Sequence, residues 1–161
     1  MDAELDALSV AVGNALAARG WMLATAESCT GGWIAQLVTA TSGSSAWFDR
    51  GFVTYSNAAK TDMLGVSPQT LARHGAVSEA TVVEMAEGAL TRSRADLAVA
   101  VSGVAGPTGG TPQKPVGMVC VAWAQREAPT LVRTLQLAGD RTAVRRQTVI
   151  HALGEVIALA R

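Results

Sequence analysis

The sequence predicts an α/β protein, a three-layer α/β/α sandwich around a mixed, mostly parallel sheet. Segments with helical spacing of apolar residues alternate with short apolar segments typical of strands. The run 96–101 is almost continuously apolar, as in a strand buried on both faces. Near the end of the chain, 116–124 and 131–137 alternate like two antiparallel strands. A chain of 161 residues is expected to form one domain, here 1–161.

Composition argues against several classes of protein. A hydrophobic content of 49% with only 16% charged residues argues against disorder. The net charge is zero and no block of like charge stands out, so neither nucleic acid nor a membrane surface is an expected partner. The N-terminus is acidic, unlike a signal peptide, and two cysteines make no disulfide framework. We therefore expect a reduced, cytoplasmic protein.

The first two elements lead to a serine. Apolar residues at helical spacing predict a helix over 2–18, and Gly20 is a typical residue for its end. The segment 21–24 is predicted to be a short buried strand, and a helix is predicted from Trp33 to about Ala40. Ser28 lies on the turn between that strand and that helix.

This serine turn suits two kinds of chemistry. The backbone N–H groups of Thr30, Gly31 and Gly32 belong to a helix start and are expected to point at a bound group. They would serve either an activated serine beside an oxyanion hole or a cradle for a phosphate. An ordinary helix cap by Ser28 or Thr30 is the third interpretation, and the local sequence leaves all three open.

A second polar cluster follows the next predicted strand, 46–55. Tyr55 ends that strand, and Ser56 is the predicted N-cap of a helix over 57–64 that Gly65 closes. Lys60 then lies on the first turns of this helix. A solvated surface lysine is the commoner case, and the local sequence does not separate it from a functional one.

Two further helices are predicted, over 67–74 and 79–92, with Ser67 and Ser78 as caps. The chain has only two histidines, His74 and His151, and a Ser-His-Asp triad would need one of them. Neither histidine lies in a context that resembles a catalytic loop. No His, Cys, Asp or Glu group has metal-ligand spacing, so a metal site is not expected.

The loop over 102–115 is dense in glycine and proline. It is not a phosphate-binding Walker loop and not a dinucleotide fingerprint, because the required residues do not follow its glycines. It begins at the end of a buried strand, where open α/β sheets bind ligands. We favour ligand binding over a flexible connection, and the candidate residues are Ser102, Gly103, Ala105 and Gly106.

The last helix is predicted to run to Ala160 with Asp140 as its cap. Arginines 141, 145 and 146 fall within its first two turns, where cations oppose the helix dipole. An anion bound there would offset this, so Arg141 and Arg145 are candidates for a phosphate or carboxylate. Surface salt bridges are an equally open interpretation.

Five segments in this order resemble the CinA C-terminal domain family. They are 26–32 (AESCTGG), 53–60 (VTYSNAAK), 75–79 (GAVSE), 102–107 (SGVAGP) and 114–117 (KPVG). The resemblance covers nearly the whole chain. Enzymes of this family are nicotinamide-nucleotide amidohydrolases.

The resemblance implies hydrolysis of the carboxamide of nicotinamide mononucleotide. It implies Ser28 as nucleophile and Lys60 as base, with Tyr55 between them, no cofactor, and a homo-oligomer. The positive nicotinamide ring suggests an aromatic wall, for which the candidates are Trp33, Trp47 and Phe48. A free lysine has a pKa of about 10.4, so a base near neutrality needs burial or a nearby cation.

Three alternatives remain open at this point. Cys29 adjoins Ser28, which would allow a cysteine amidase, although no base is evident to activate the thiol. A non-catalytic nucleotide-binding module would use the same turns without turnover. A purely structural interaction protein is the third alternative and leaves the glycine-rich loops without a use.

Overall fold

The computed structural model describes residues 2–161 and contains one five-stranded sheet with helices on both faces. The strands are β1 Leu23–Glu27, β2 Phe48–Val53, β3 Leu97–Gly103, β4 Met118–Gln125 and β5 Leu131–Gln136. The helices are α1 Ala3–Arg19, α2 Trp33–Val38, α3 Asn57–Leu64, α4 Pro68–His74, α5 Glu79–Thr91 and α6 Arg141–Ala160, with a 3₁₀ turn at Ser44–Ala46.

The sheet is mixed, and its strand order is β2-β1-β3-β4-β5. The three strands β2, β1 and β3 are parallel, whereas β4 is antiparallel to both β3 and β5. Four of the five strands therefore run in one direction. The predicted three-layer α/β fold with a mixed, mostly parallel sheet is confirmed.

The two faces of the sheet carry side chains of different size. Large residues of β3 and β4, such as Val99 and Trp123, pack with α1, α2 and α6. Alanines of the same strands, such as Ala98 and Ala122, pack with α5. Because small side chains leave little space between layers, α5 lies close to the sheet. Burial of β3 on both faces is what its continuous apolar run predicted.

Four predicted helix caps are confirmed. The side chains of Ser56, Ser67, Ser78 and Asp140 each accept a hydrogen bond from a backbone N–H in the first turn of their helix. Asp2, which was expected to be the first residue of α1, caps that helix in the same way. Gly20 and Gly65 end α1 and α3 in the left-handed conformation. These ends depend on local chemistry alone, which explains why sequence finds them.

Some predicted strand bounds are wrong. The first strand was expected over 21–24 but lies at Leu23–Glu27, because ladder pairing with β2 and β3 continues to Glu27. Likewise, Ser102 and Gly103 belong to β3 rather than to the following loop, since they pair with β4. The second helix ends at Val38 rather than Ala40.

The topology brings four connections to one edge of the sheet. Strands β1, β2, β3 and β5 all end there, because they run in the same direction. The serine turn, the segment 54–56, the loop 104–117 and the start of α6 are therefore neighbours. This is the edge at which open α/β sheets bind their ligands.

Candidate active site

Ser28 immediately follows β1 and is nearly buried. Its N–H donates to the carbonyl of Val101 at 3.1 Å, which ties the start of the turn to the neighbouring strand. The side chain remains 8% exposed and its hydroxyl lines a cavity of about 210 Å³. The serine is therefore held in one place with its oxygen open to a small molecule.

Glu27 supports this turn from inside the protein, a role that the sequence did not predict. Its carboxylate is 1% exposed and accepts hydrogen bonds from the N–H groups of Ile34 (2.8 Å) and Ala35 (3.0 Å). The hydroxyl of Thr30 donates to it at 2.6 Å. Glu27 thus caps α2, whereas the predicted cap by Ser28 or Thr30 does not form. An acidic residue at the end of a buried strand was the available signal.

Lys60 meets Ser28 across the turn. Its Nζ lies 3.1 Å from Ser28 Oγ, and the ammonium also donates to the carbonyls of Thr54 (2.9 Å) and Tyr55 (3.2 Å). The residue is only 1% exposed, so it is not the solvated lysine that its helix position alone suggested. Two carbonyls and one hydroxyl are its polar partners among residues 2–161.

Burial sets the charge state of this amine. Removal from water lowers the pKa of Lys60 below its ordinary value, because the charged form loses its hydration. The sequence left burial and a nearby cation as alternatives, and burial is the cause. A lysine with a lowered pKa is closer to serving as a base at neutral pH.

Most of the predicted site residues line this cavity. Its walls come from the serine turn, the start of α3, the segment before α5, the end of β3 and the start of α6. The lining residues are Ser28, Cys29, Tyr55, Lys60, Ala76, Val77, Ser102, Gly103, Ala105 and Arg141.

Tyr55 contributes its backbone to the Ser28–Lys60 pair, and its phenol lies elsewhere. The side chain is 62% exposed, and its hydroxyl accepts a hydrogen bond of 3.3 Å from Arg141. Since Lys60 reaches Ser28 directly, the expectation of Tyr55 between the two side chains is not matched by the geometry. The phenol instead forms the mouth of the cavity together with Arg141.

Arg141 is hydrogen-bonded to the glycine-rich loop. The Nη1 of Arg141 donates to the carbonyl of Gly106 at 2.8 Å. Gly106 does not line the cavity of Ser28 and lines a neighbouring cavity of about 420 Å³ that also contacts Ala105 and Arg141. The predicted loop residues therefore share one region, with Ser102, Gly103 and Ala105 nearer to the serine.

The predicted backbone donors of the turn are only partly free. The N–H of Gly31 donates to the carbonyl of Ser28 at 3.1 Å, so it is not available to a ligand. No other residue among 2–161 accepts from the N–H groups of Cys29, Thr30 and Gly32. Of the residues in this turn, Ser28 and Cys29 line the cavity, and the predicted binding residues Thr30, Gly31 and Gly32 do not. Glycine is favoured at positions 31 and 32 because φ is +59° and +103°.

Arg145 and Arg146 lie outside the cavity. Arg145 donates to the carbonyls of Cys29 (3.0 Å) and Thr30 (3.1 Å), so it contacts the serine turn from the side of α6. Arg146 forms surface ion pairs with Asp2 and Glu4. Of the three arginines at the start of α6, only Arg141 lines the cavity.

The remaining candidates either do not line the cavity or are chemically unsuited. Burial raises the pKa of the Cys29 thiol to about 11. Neither His74 nor His151 lines the cavity, and neither do the three aromatic candidates for a wall, Trp33, Trp47 and Phe48. Those aromatic residues pack against the core instead.

Within residues 2–161, no three His, Cys, Asp or Glu side chains are grouped closely enough to hold a metal ion. No helix in the same range combines the length and apolarity required to cross a bilayer.

A sequence profile of the CinA C-terminal domain matches residues 5–159. The chain belongs to the CinA C-terminal domain family. It is 59% identical over 152 residues to the nicotinamide-nucleotide amidohydrolase PncC of Escherichia coli K12, covering 94% of this chain and 92% of that protein. The PncC protein of Pseudomonas putida is 51% identical over 152 residues, with 94% of each chain covered.

Solved structures of CinA proteins have the same fold. The competence/damage inducible protein CihA of Agrobacterium tumefaciens superposes with a TM-score of 0.97 at 48% identity, covering 100% of this chain and 98% of that one. The five segments that resemble the CinA family therefore lie on a fold that has been determined experimentally for a relative.

Proposed function

We propose that this protein hydrolyses the carboxamide of nicotinamide mononucleotide to nicotinate mononucleotide and ammonia. Ser28 is the nucleophile and Lys60 is the base. The observation that carries the proposal is the 3.1 Å contact between Lys60 Nζ and Ser28 Oγ in a nearly water-free position. Two relatives at 59% and 51% identity are named nicotinamide-nucleotide amidohydrolases, which supports the choice of substrate.

The partners of Lys60 suit a base. A neutral amine has two hydrogens and one lone pair. If the two hydrogens go to the carbonyls of Thr54 and Tyr55, the lone pair is left facing the hydroxyl of Ser28. The lowered pKa makes this neutral form accessible, so Lys60 is arranged to accept the serine proton.

The reaction proceeds in two halves. Ser28 Oγ bonds to the carboxamide carbon while its proton passes to Lys60 Nζ. Lys60 then returns the proton to the substrate nitrogen as the C–N bond breaks, and ammonia leaves an ester on Ser28. A water molecule attacks this ester with Lys60 again as base, and the proton returned to Ser28 Oγ frees the nicotinate product.

A backbone N–H group stabilises the tetrahedral intermediates. The N–H of Cys29 directly follows the nucleophile, Cys29 lines the cavity, and no other residue among 2–161 accepts from this N–H. Fixed donors of this kind stabilise a developing oxyanion, and removal of one costs about 10² to 10³ in kcat. The occupied Gly31 N–H is not among them.

Arg141 is the group that holds the nucleotide phosphate. It lies at the cavity mouth, and its bond to the Gly106 carbonyl fixes the guanidinium in place. A guanidinium has five N–H donors, so donors remain for phosphate oxygens after those to Gly106 and Tyr55. Ser102, Gly103 and Ala105 line the same cavity as this arginine and the serine.

The cysteine alternative is disfavoured by the same burial that favours Lys60. With a thiol pKa of about 11, only about one Cys29 in ten thousand is a thiolate at pH 7. The thiolate is the nucleophilic form. Cys29 is therefore not proposed as the nucleophile.

The test is release of ammonia from nicotinamide mononucleotide, with nicotinate mononucleotide measured by chromatography. Ser28→Ala and Lys60→Met are expected to lose turnover by at least about 10³, since each removes a reacting group. Cys29→Ala is the matched control and is expected to retain turnover. Binding of the nucleotide without any ammonia from the wild type would instead identify a non-catalytic binding module.

A further inference from the structure

Arg145 reaches from α6 to the backbone of the serine turn. Its Nε donates to the carbonyl of Cys29 at 3.0 Å, and its Nη2 donates to the carbonyl of Thr30 at 3.1 Å. The guanidinium also lies 5.7 Å from the ring centroid of Trp33, within cation–π distance. The side chain therefore has a fixed position, although more than a hundred residues separate it from the turn.

These two hydrogen bonds fix the orientation of two peptide groups. In a trans peptide, the C=O and the following N–H point in opposite directions. The Thr30 carbonyl faces Arg145, and the Gly31 N–H on the far side of that peptide donates to Ser28. By the same geometry, the Cys29 N–H points away from Gly31, because the Ser28 carbonyl of that peptide accepts the Gly31 N–H. No other residue among 2–161 accepts from the Cys29 N–H.

A cation bonded to a carbonyl also polarises its peptide group. Hydrogen bonds in a chain strengthen one another, so the guanidinium on the Thr30 carbonyl makes the Gly31 N–H a stronger donor to the Ser28 carbonyl. That bond in turn makes the Cys29 N–H a stronger donor. Cys29 directly follows the nucleophile and lines the cavity, whereas Thr30 is fully buried and does not line it.

We propose that Arg145 is a positioning residue that aims and strengthens the Cys29 N–H toward the oxyanion formed on the substrate. This inference rests on the proposed amidase function and adds to it a residue that does not touch the substrate. It differs from phosphate binding, the use that the position of Arg145 near the helix start suggested. Arg145 does not line the cavity, whereas Arg141 does.

The kinetic test separates these two uses. Arg145→Met is expected to lower kcat about tenfold to a hundredfold and to change KM less than threefold, because a donor to the transition state is weakened rather than removed. Arg145→Lys is expected to be intermediate, since an ammonium donates without the fixed fork of a guanidinium. In Arg145→Ala, added ethylguanidinium is expected to restore part of kcat. Arg146→Met, one residue along the helix in a surface ion pair, is the control and is expected to leave both parameters unchanged.

A second measurement does not depend on turnover. The ¹⁵N resonance of a backbone amide responds to hydrogen bonding at the preceding carbonyl, so Thr30 and Gly31 are expected to shift upfield in Arg145→Met and to stay in place in Arg146→Met. A raised KM with kcat retained would show that Arg145 contacts substrate and would overturn the proposal. An unchanged kcat, or an unchanged Gly31 resonance, would overturn it as well.

The outcome for Arg145 is separable from the outcome for the amidase. A wild type that releases no ammonia ends the amidase proposal, and the oxyanion use of Arg145 with it. The resonances of Thr30 and Gly31 then still decide whether Arg145 orients the turn. A wild type that turns over while the Arg145 variants match it overturns only the positioning inference.

Discussion

The amine of Lys60 lies 3.1 Å from the hydroxyl of Ser28 because β1 and β2 are parallel neighbours. Ser28 follows the end of β1, and α3, which carries Lys60, begins shortly after the end of β2. Both strands end at the same edge of the sheet, so two residues that are 32 positions apart in the sequence are joined by one hydrogen bond. The cost of this contact is a lysine removed from water, and that cost has measurable consequences.

Stability is expected to depend on pH through Lys60. Burial lowers its pKa in the folded state, so between the folded value and about 10.4 the unfolded chain binds more protons. The free energy of unfolding should therefore rise with pH across this window, and below it the burial penalty is fully present. Lys60→Met should remove this rise. Urea unfolding of both proteins from pH 6 to pH 10 measures it, and a difference between them that does not vary with pH would contradict the assignment.

Activity is expected to rise with pH along a single-proton limb. The proposed base works only when neutral, so kcat/KM should increase about tenfold per pH unit below the pKa of Lys60 and then level off. Because burial lowers that pKa, the plateau should begin below pH 10.5. The same limb is expected in Cys29→Ala, because the thiol, with a pKa of about 11, is not the titrating group. A limb that disappears in Cys29→Ala would instead identify the thiol.

Sequence predicted those parts of the fold that depend on neighbouring residues. Caps such as Ser56 and Asp140 act within their own first turn, and both are confirmed. The bounds of β1 were missed because strand ends are set by pairing with β2 and β3, which no local pattern contains. The mixed sheet itself followed from the order of elements.

The candidate site was predictable as a set of motifs and less so as a set of contacts. Position on α3 could not separate a buried Lys60 from a surface one, since that depends on how α3 packs against the sheet. The arginines near the start of α6 suggested an anion site, yet Arg145 donates hydrogen bonds to two carbonyls of the serine turn. Both uses of arginine are electrostatic, and only the three-dimensional neighbours distinguish them.

Removal of the Glu27 carboxylate is expected to destabilise the protein strongly. Glu27→Ala would leave the N–H groups of Ile34 and Ala35 and the hydroxyl of Thr30 without their acceptor. Two buried donors and one part-buried donor, at about 1 to 3 kcal/mol each, give a loss of about 3 to 9 kcal/mol in the free energy of unfolding. Glu4→Ala is the control, because Glu4 is 65% exposed and solvent screens its ion pair with Arg146. Equal effects of the two changes in urea unfolding would refute the capping argument.

Two glycines in helix interiors are expected to respond in opposite directions to alanine. A Cβ at Gly88 on α5 would overlap the carbonyl oxygen of Leu64, the last residue of α3, whereas a Cβ at Gly154 on α6 would meet nothing within 4 Å. Gly154→Ala should therefore stabilise the protein by about 0.5 to 1 kcal/mol through helix propensity. Gly88→Ala should destabilise it by about 1 to 3 kcal/mol despite the same gain, because α3 must move away.

Since α3 carries Lys60, Gly88→Ala should also lower kcat while Gly154→Ala leaves it unchanged. Urea unfolding and ammonia release measure both effects, and a Gly88→Ala protein as stable and active as Gly154→Ala would show that the packing of α3 against α5 does not hold Lys60 in place.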